Sequence, residues 1–72
     1  MANIAAMDIF VNGKSHTCPA DSTVADLIGQ LGLTGKRLAV ERNQILIARS
    51  QHASTRLQEA DRLEIVVAVG GG

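Results

Sequence analysis

Aromatic residues and net charge are almost absent from this sequence. Phe10 is the single aromatic residue among 72, and seven basic residues cancel seven acidic ones to a net charge of zero. Single-stranded nucleic acids are bound on aromatic stacking platforms, and duplexes are bound by an excess of positive charge. The sequence therefore argues against a nucleic-acid partner.

Cysteine and long apolar runs are also scarce. Cys18 is the single cysteine, so it cannot form an internal disulfide, which is typical of a protein from the reducing cytoplasm. The longest strongly apolar stretch, Ile65–Val69, is far shorter than the roughly 20 residues of a membrane span. Met1–Ala6 lacks the parts of a signal peptide, and we expect it to be a disordered extension. These absences predict a cytoplasmic protein without a membrane partner.

What the sequence does contain begins with a hairpin signal. Met7–Val11 and Lys14–Cys18 read as strands, and Asn12–Gly13 between them is typical of a type I′ turn, which needs two positive φ angles. Because side chains alternate along a strand, Met7, Ile9 and Val11 share one face and Phe10 lies on the other. We expect the face with three apolar residues to be in the core.

The next segment has the pattern of an amphipathic helix. Its apolar residues recur at helical spacing, at Val24, Leu27, Ile28 and Leu31. Thr23 and Asp26 form a capping-box pattern at the start, and Gly32 is placed to end the helix in a left-handed conformation. About two turns of helix are unstable alone in water, so the apolar stripe must pack on a sheet.

Three further strands complete the predicted fold. They are Leu38–Glu41, Ile45–Ile47 and Arg62–Val69, and the polar segment Ala48–Arg56 is predicted to be a loop with at most one helical turn. The order β-β-α-β-β-β is typical of an α+β, ubiquitin-like β-grasp domain. We expect this domain at 7–69, with a mixed sheet of about five strands and one main helix on one face.

The last three residues carry the most specific chemical signal. Gly70–Gly71–Gly72 follows the last strand directly, and we expect a flexible tail there. A frayed terminus is one interpretation, since chain ends are often poorly ordered. The other is functional, because glycines fit a narrow channel that any β-carbon would block. The carboxylate of Gly72, with a pKa of roughly 3.5 in model peptides, would then be an unhindered nucleophile for the α-phosphate of ATP.

Side chains suited to catalysis or metal binding are thinly spread. Cys18, late in a strand, is more typical of a small buried residue than of a reactive thiol. His16 and His52 have no acidic or cysteine neighbours at ligand spacing. Since no acid–base pair is evident either, we expect a protein that is not an enzyme, has no catalytic or metal site and binds no cofactor.

A small apolar patch is predicted on the open face of the sheet. If Leu63, Ile65 and Val67 of the last strand face the core, Val66 and Ala68 join Phe10 on the opposite face. Apolar patches on a sheet often bind proteins, although single exposed apolar residues are normal. We interpret Phe10, Val66 and Ala68 as a partner-binding surface.

Short motifs in a fixed order connect the sequence to a known family. They are Met7-Asp8-Ile9-Phe10-Val11-Asn12-Gly13, Thr23-Val24 with Leu27, Leu38-Ala39-Val40-Glu41-Arg42-Asn43, Arg49, His52-Ala53-Ser54-Thr55, Asp61-Arg62-Leu63-Glu64-Ile65-Val66 and Ala68-Val69-Gly70-Gly71-Gly72. In this order and spacing they resemble the ThiS sulfur carriers of bacterial thiazole (thiamine) biosynthesis. The chain departs from the family pattern at Ala48 and Ala60, where the family often has Pro and Gly.

The resemblance implies a carrier function. It implies that Gly72 is adenylated by a ThiF-type adenylyltransferase and converted to a thiocarboxylate, with Gly70 and Gly71 threading the partner's active site. The thiocarboxylate then gives its sulfur to thiazole synthase (ThiG). In this interpretation the adenylate and the thiocarboxylate are covalent modifications of the chain, and no cofactor is bound.

Three alternatives remain open from the sequence. The first is the small subunit of molybdopterin synthase (MoaD-like), which has the same tail chemistry but usually a longer chain with more aromatic residues. The second is a ubiquitin-like modifier joined through Gly72 to lysines of target proteins. The third is an interaction module whose glycine tail has no function. An extension beyond Gly72 would disable a carrier or a modifier and leave a plain module unaffected.

Overall fold

The computed structural model describes residues 5–69, which form one mixed sheet and one α-helix. The strands lie in the order β2-β1-β5-β3-β4, with β1 and β5 parallel and the other neighbours antiparallel. The elements are β1 (Ala6–Val11), β2 (Lys14–Pro19), α1 (Val24–Gln30), β3 (Leu38–Arg42), β4 (Ile45–Ile47), a turn of 3₁₀ helix (Arg49–Gln51) and β5 (Arg62–Val67). The ubiquitin-like β-grasp prediction is confirmed.

The first hairpin forms at the predicted turn. Asn12 and Gly13 both have positive φ, at 51° and 83°, as a type I′ turn requires. The resulting register buries Met7 and Ile9, as predicted from strand parity. β2 continues to Pro19, which its edge position allows because proline has no N–H to donate.

The predicted N-terminal extension is only partly described. Residues 1–4 lie outside the described residues, so that part of the prediction stays untested. Ala6 belongs to β1 and pairs with Pro19, so the strand begins one residue earlier than predicted.

Helix α1 has both predicted end signals. The amide of Asp26 donates to the Thr23 hydroxyl at 3.1 Å, and the amide of Thr23 donates to the Asp26 carboxylate at 2.9 Å, which completes the capping box. At the other end Gly32 has a φ of 72°, and the amide of Leu33 returns to the carbonyl of Ile28 at 2.9 Å. That returning bond is the Schellman pattern, and it turns the chain back towards β3.

The core lies between α1 and the sheet. Val24 and Leu27 of the helix stripe have no exposed surface, and they pack with the largest fully buried strand side chains, which are Ile9, Val40 and Leu63. Leu57, from the segment before β5, is also buried, although its polar sequence context gave no sign of it. Within residues 5–69 no helix has the length and hydropathy to cross a bilayer.

Strand β5 is shorter than predicted. It ends at Val67, and Val67 is 37% exposed although strand parity assigned it to the core. Val67 pairs with Leu38, the first residue of β3, whereas the pairing with β1 ends at Val11 and Leu63. At its C-terminal end, β5 is therefore paired with β3 alone, because β1 does not extend that far.

Candidate functional site

The candidate site begins where β5 leaves the sheet. The amide of Ala68 donates to the carbonyl of Arg37 at 2.8 Å, which within residues 5–69 is the last backbone bond between this strand and the segment at β3. Val69 follows with 95% of its surface exposed. The predicted tail Gly70–Gly72 lies outside the described residues, so the structure shows where the tail starts and not its course.

Asn12 anchors this strand through its side chain. Its amide oxygen accepts from the N–H of Ile65 at 2.8 Å, and its amide nitrogen donates to the carbonyl of Ile65 at 3.1 Å. The parallel ladder between β1 and β5 ends at Val11, so the Asn12 side chain provides the next pair of bonds in place of a backbone residue. Sequence reasoning missed this role, because the Asn-Gly signal is fully explained by the turn.

A buried carboxylate fixes the other end of β5. Asp61 is 5% exposed, and it accepts from Arg42 Nε at 2.7 Å, Asn43 Nδ2 at 3.1 Å and the amide of Gln58 at 2.8 Å. Burial alone would raise the pKa of Asp61, but the bonds from Arg42, Gln58 and Asn43 and the Arg42 charge outweigh it and hold that pKa below its usual value. The network ties the β3–β4 turn to the start of β5.

The residue before this carboxylate is one of the departures from the family pattern. Ala60 has a φ of 69°, in the left-handed region that disfavours residues with a β-carbon. The turn therefore keeps a conformation suited to glycine although the residue is alanine.

The three predicted partner-binding residues fall into two places. Val66 is 65% exposed on the open face, where it pairs with Ala39, and Ala68 is exposed beside the tail. Phe10 is half-buried, and the Arg62 guanidinium lies 4.8 Å from the centre of its ring. The pairing of Phe10 with Arg62 puts it four β5 residues from Val66, about 13 Å at ordinary strand rise. The structure thus brings Val66 and Ala68 to the tail and leaves Phe10 apart; their role in binding stays a prediction.

Three further side chains share the open face with Val66, namely Glu64, Glu41 and Leu46. Glu64 pairs directly with Glu41 of β3, and like charges in this arrangement repel. Leu46, opposite Glu41 on β4, is 66% exposed. Sequence reasoning did not place Leu46 in the patch, because its neighbours on the face depend on strand order.

Cys18, His52 and His16 are the remaining side chains that the sequence analysis considered. Cys18 is 1% exposed, and burial, which is the largest effect, raises the pKa of its thiol. His52 is buried, with Nε2 at 3.2 Å from the carbonyl oxygen of Ile47, and His16 lies on β2 opposite Ile9. In the described part of the chain, no three histidine, cysteine, aspartate or glutamate side chains are grouped to hold a metal ion.

Comparison with known proteins points to one family. The ThiS family model matches residues 9–72. The sulfur carrier protein ThiS of Bacillus subtilis is 36% identical over 63 residues, which cover 86% of this chain and 96% of that protein. The crystal structure of the thiamine biosynthesis protein ThiS from Geobacter metallireducens superposes with a TM-score of 0.78 at 28% identity, covering 92% of this chain and 100% of that one.

A second kind of relative is much longer. A thiazole synthase of Paramagnetospirillum magneticum is 38% identical over 66 residues, which are 92% of this chain. The chain spans only 20% of that relative's length. A segment similar to this chain is therefore part of a larger polypeptide there.

Proposed function

The chain belongs to the ThiS family of sulfur carrier proteins in thiamine biosynthesis, and from this we propose that it carries sulfur on the C-terminal carboxylate of Gly72. A ThiF-type adenylyltransferase activates that carboxylate, and a thiazole synthase receives the sulfur. The chain itself supplies the acyl group and the surfaces that partners recognise.

The proposed chemistry has two steps. A carboxylate oxygen of Gly72 attacks the α-phosphorus of ATP, pyrophosphate leaves, and an acyl-adenylate forms. Hydrosulfide supplied by a donor then attacks the Gly72 carbonyl carbon, AMP leaves and the S–H proton passes to water, which produces the thiocarboxylate. Gly70 and Gly71 are proposed to thread the partner's active site, since residues without a β-carbon fit a narrow channel.

The observation that carries the proposal is how the chain leaves the fold. Leu63 and Ile65 anchor β5 in the core, the amide of Ala68 donates to the carbonyl of Arg37, and Val69 is 95% exposed. A tail that starts from an exposed point of an anchored strand can enter a partner's active site while the domain stays folded.

The choice of thiazole synthase as acceptor rests on the longer relatives. In the Paramagnetospirillum magneticum thiazole synthase, a segment 38% identical to this chain belongs to the same polypeptide as the rest of that protein. A carrier that delivers sulfur to thiazole synthase would gain from such a link, because a tether raises its effective concentration at the acceptor.

The open face supports partner recognition next to the tail. Val66 and Leu46 are exposed apolar residues on either side of the Glu41 and Glu64 pair. We propose that Val66 and Ala68 contact the partner together with the tail, and that Phe10 contributes from the far end of the face. A basic group of the partner would relieve the repulsion between the two glutamates. Apolar groups of the partner would cover Val66 and Leu46.

The proposal makes the chain a carrier modified by enzymes rather than an enzyme. The adenylate and the thiocarboxylate are covalent states of Gly72, and no cofactor needs to bind. The buried Cys18, without a second cysteine to pair with, fits a cytoplasmic location.

Extension of the tail tests the proposal in cells. A gene that encodes one alanine after Gly72 is compared with the unextended gene in a strain that needs thiamine because it lacks its own ThiS. We expect growth without thiamine from the unextended gene and none from the extended one. If both genes support growth, and mass spectrometry shows that the added alanine is still present, the carboxylate of Gly72 is not the working group. An isopeptide bond between Gly72 and a lysine of another protein would instead support a modifier.

A further inference from the structure

A groove lies on the helix side of the sheet, beside the point where the tail starts. Its volume is about 290 Å³, and its walls come from one side of α1, the loop before β3 and the segment after β4. Its apolar lining includes Ile28, Leu33 and Leu38, and its exposed members include Lys36 and Arg49. The groove therefore has a partly buried apolar lining with two cations at its mouth.

The charges of the groove have one sign. Lys36 and Arg49 are the charged residues of the lining, and no carboxylate is among the lining residues. The two ion pairs found within residues 5–69 involve other cations, Arg42 and Arg56. In a chain of zero net charge, this is a local positive region that would attract an anion.

The groove is preformed by hydrogen bonds. His52, a buried lining residue, donates from Nε2 to the carbonyl of Ile47 at 3.2 Å, since a carbonyl oxygen can only accept. The carbonyl of His52 accepts from the amide of Ala25 at 2.9 Å, which ties this wall to the first turn of α1. A binding partner would meet a fixed wall and would not need to order it.

The groove also lies next to the tail. Lys36 precedes Arg37, whose carbonyl holds the amide of Ala68, and Leu38 pairs with Val67. An enzyme that takes in the tail must therefore approach this edge of the domain. The volume is at the lower limit of the roughly 300–1,000 Å³ typical of small-molecule sites, and it suits a side chain or two better than a cofactor.

We propose that this groove receives a carboxylate-bearing side chain and an adjacent apolar side chain of the thiazole synthase that accepts the sulfur. The chemistry of the bound side chains is inferred from the residues that line the groove. The two cations favour an acidic side chain, and the apolar walls favour an apolar side chain. This inference rests on the proposed function for the choice of enzyme. The carboxylate would sit between Lys36 and Arg49, on the opposite side of the sheet from Val66.

Charge reversal at the mouth tests this proposal. The variant Lys36→Glu/Arg49→Glu is compared with Lys14→Glu/Arg56→Glu, which makes the same change in net charge at exposed cations outside the lining. Affinity for the thiazole synthase of the same organism is measured by calorimetry with unmodified protein. We expect the groove variant to bind at least about tenfold more weakly and the control to stay within about twofold of the unsubstituted protein.

Two further measurements keep the interpretation unambiguous. The charge-preserving variant Lys36→Arg/Arg49→Lys should bind almost normally, and circular dichroism should show that all variants are folded. If the groove variant unfolds, amide resonances of 34–38 and 49–53 in the unsubstituted protein should still shift when the synthase is added. Unchanged affinity in a folded groove variant, or no shift in these resonances, would overturn the proposal.

Thiocarboxylate formation separates this proposal from the proposed function. The groove variant should still be loaded with sulfur by the adenylyltransferase at close to the normal rate. Equal losses of loading and of synthase binding would assign the groove to both enzymes and contradict the proposal as stated. If the unsubstituted protein is never loaded, the proposed function fails, whereas the affinity comparison still decides whether the groove binds the synthase.

Discussion

Asn12 and Ile65 are 53 residues apart in sequence, and the side chain of the first binds the backbone of the second at both its N–H and its carbonyl. The pair joins the first hairpin to the strand that leads to the tail. It lies just beyond Val11 and Leu63, where the backbone pairing of β1 with β5 ends.

Replacement of Asn12 should therefore destabilise the fold. Asn12→Gly keeps the positive φ of 51° accessible and removes both side-chain bonds, which we expect to lower the free energy of unfolding by about 1–2 kcal/mol. Asn12→Asp should also destabilise, because it puts an oxygen in place of the donor that faces the carbonyl of Ile65. Urea unfolding measures both changes. A glycine variant as stable as the unsubstituted protein would show that the two bonds contribute nothing.

Asp61 should make the free energy of unfolding depend on pH in the acidic range. Its pKa is lower in the folded protein than in the unfolded chain, so the ionised carboxylate stabilises the fold at pH values above its unfolded pKa of about 3.9. This contribution is lost as the pH falls through the lower, folded pKa. Asp61→Asn should be less stable at pH 7 and should show a flatter decline of stability below about pH 4.

The control for this prediction is an exposed aspartate. Asp21 is 85% exposed in its side chain and also has a positive φ, which asparagine tolerates, so Asp21→Asn should keep the acid-dependent decline. The comparison uses urea unfolding from pH 7 to pH 2. If both variants lose the decline equally, or neither does, Asp61 is not its source.

Substitution of Val66 should impair binding to the adenylyltransferase without destabilising the fold. Val66 is 65% exposed and contributes little to the core, so Val66→Asp should leave the stability within about 0.5 kcal/mol of the original. A charge on an apolar contact surface should nevertheless slow sulfur loading by the adenylyltransferase, by about tenfold or more. Ser54→Asp, an exposed change in the segment after β4 and outside the sheet, is the matched control. Equal rates for the two variants would remove Val66 from the docking surface.

The elements that the sequence predicted well are those defined by neighbouring residues. The turn at Asn12–Gly13, the capping box of Thr23 and Asp26 and the left-handed Gly32 each depend on a few consecutive residues. Their geometry follows from local preferences, and the structure has all three.

The features that the sequence did not predict depend on which strands are neighbours. The bonds from Asn12 to Ile65, the contacts of Asp61 with Arg42 and the exposure of Val67 all result from the position of β5 between β1 and β3. A local pattern contains no information on such pairings. For the same reason Phe10 and Val66 share a face, as parity predicted, without being adjacent.

The groove at Lys36 and Arg49 was not predicted for a similar reason. These two residues are 13 positions apart, and no local sequence pattern connects them. They line one groove because the loop before β3 and the 3₁₀ turn both lie against α1. Only the folded chain shows that Lys36 and Arg49 share a groove with apolar lining residues.

The central claim is that Gly72 carries sulfur, and the mass of the intact protein tests it most directly. The untagged chain is incubated with ATP, sulfide and a ThiF-type adenylyltransferase that is active on a known carrier. We predict a mass increase equal to the exchange of one oxygen for one sulfur, located at Gly72 by fragmentation and absent without ATP. An unchanged mass under these conditions would contradict the account.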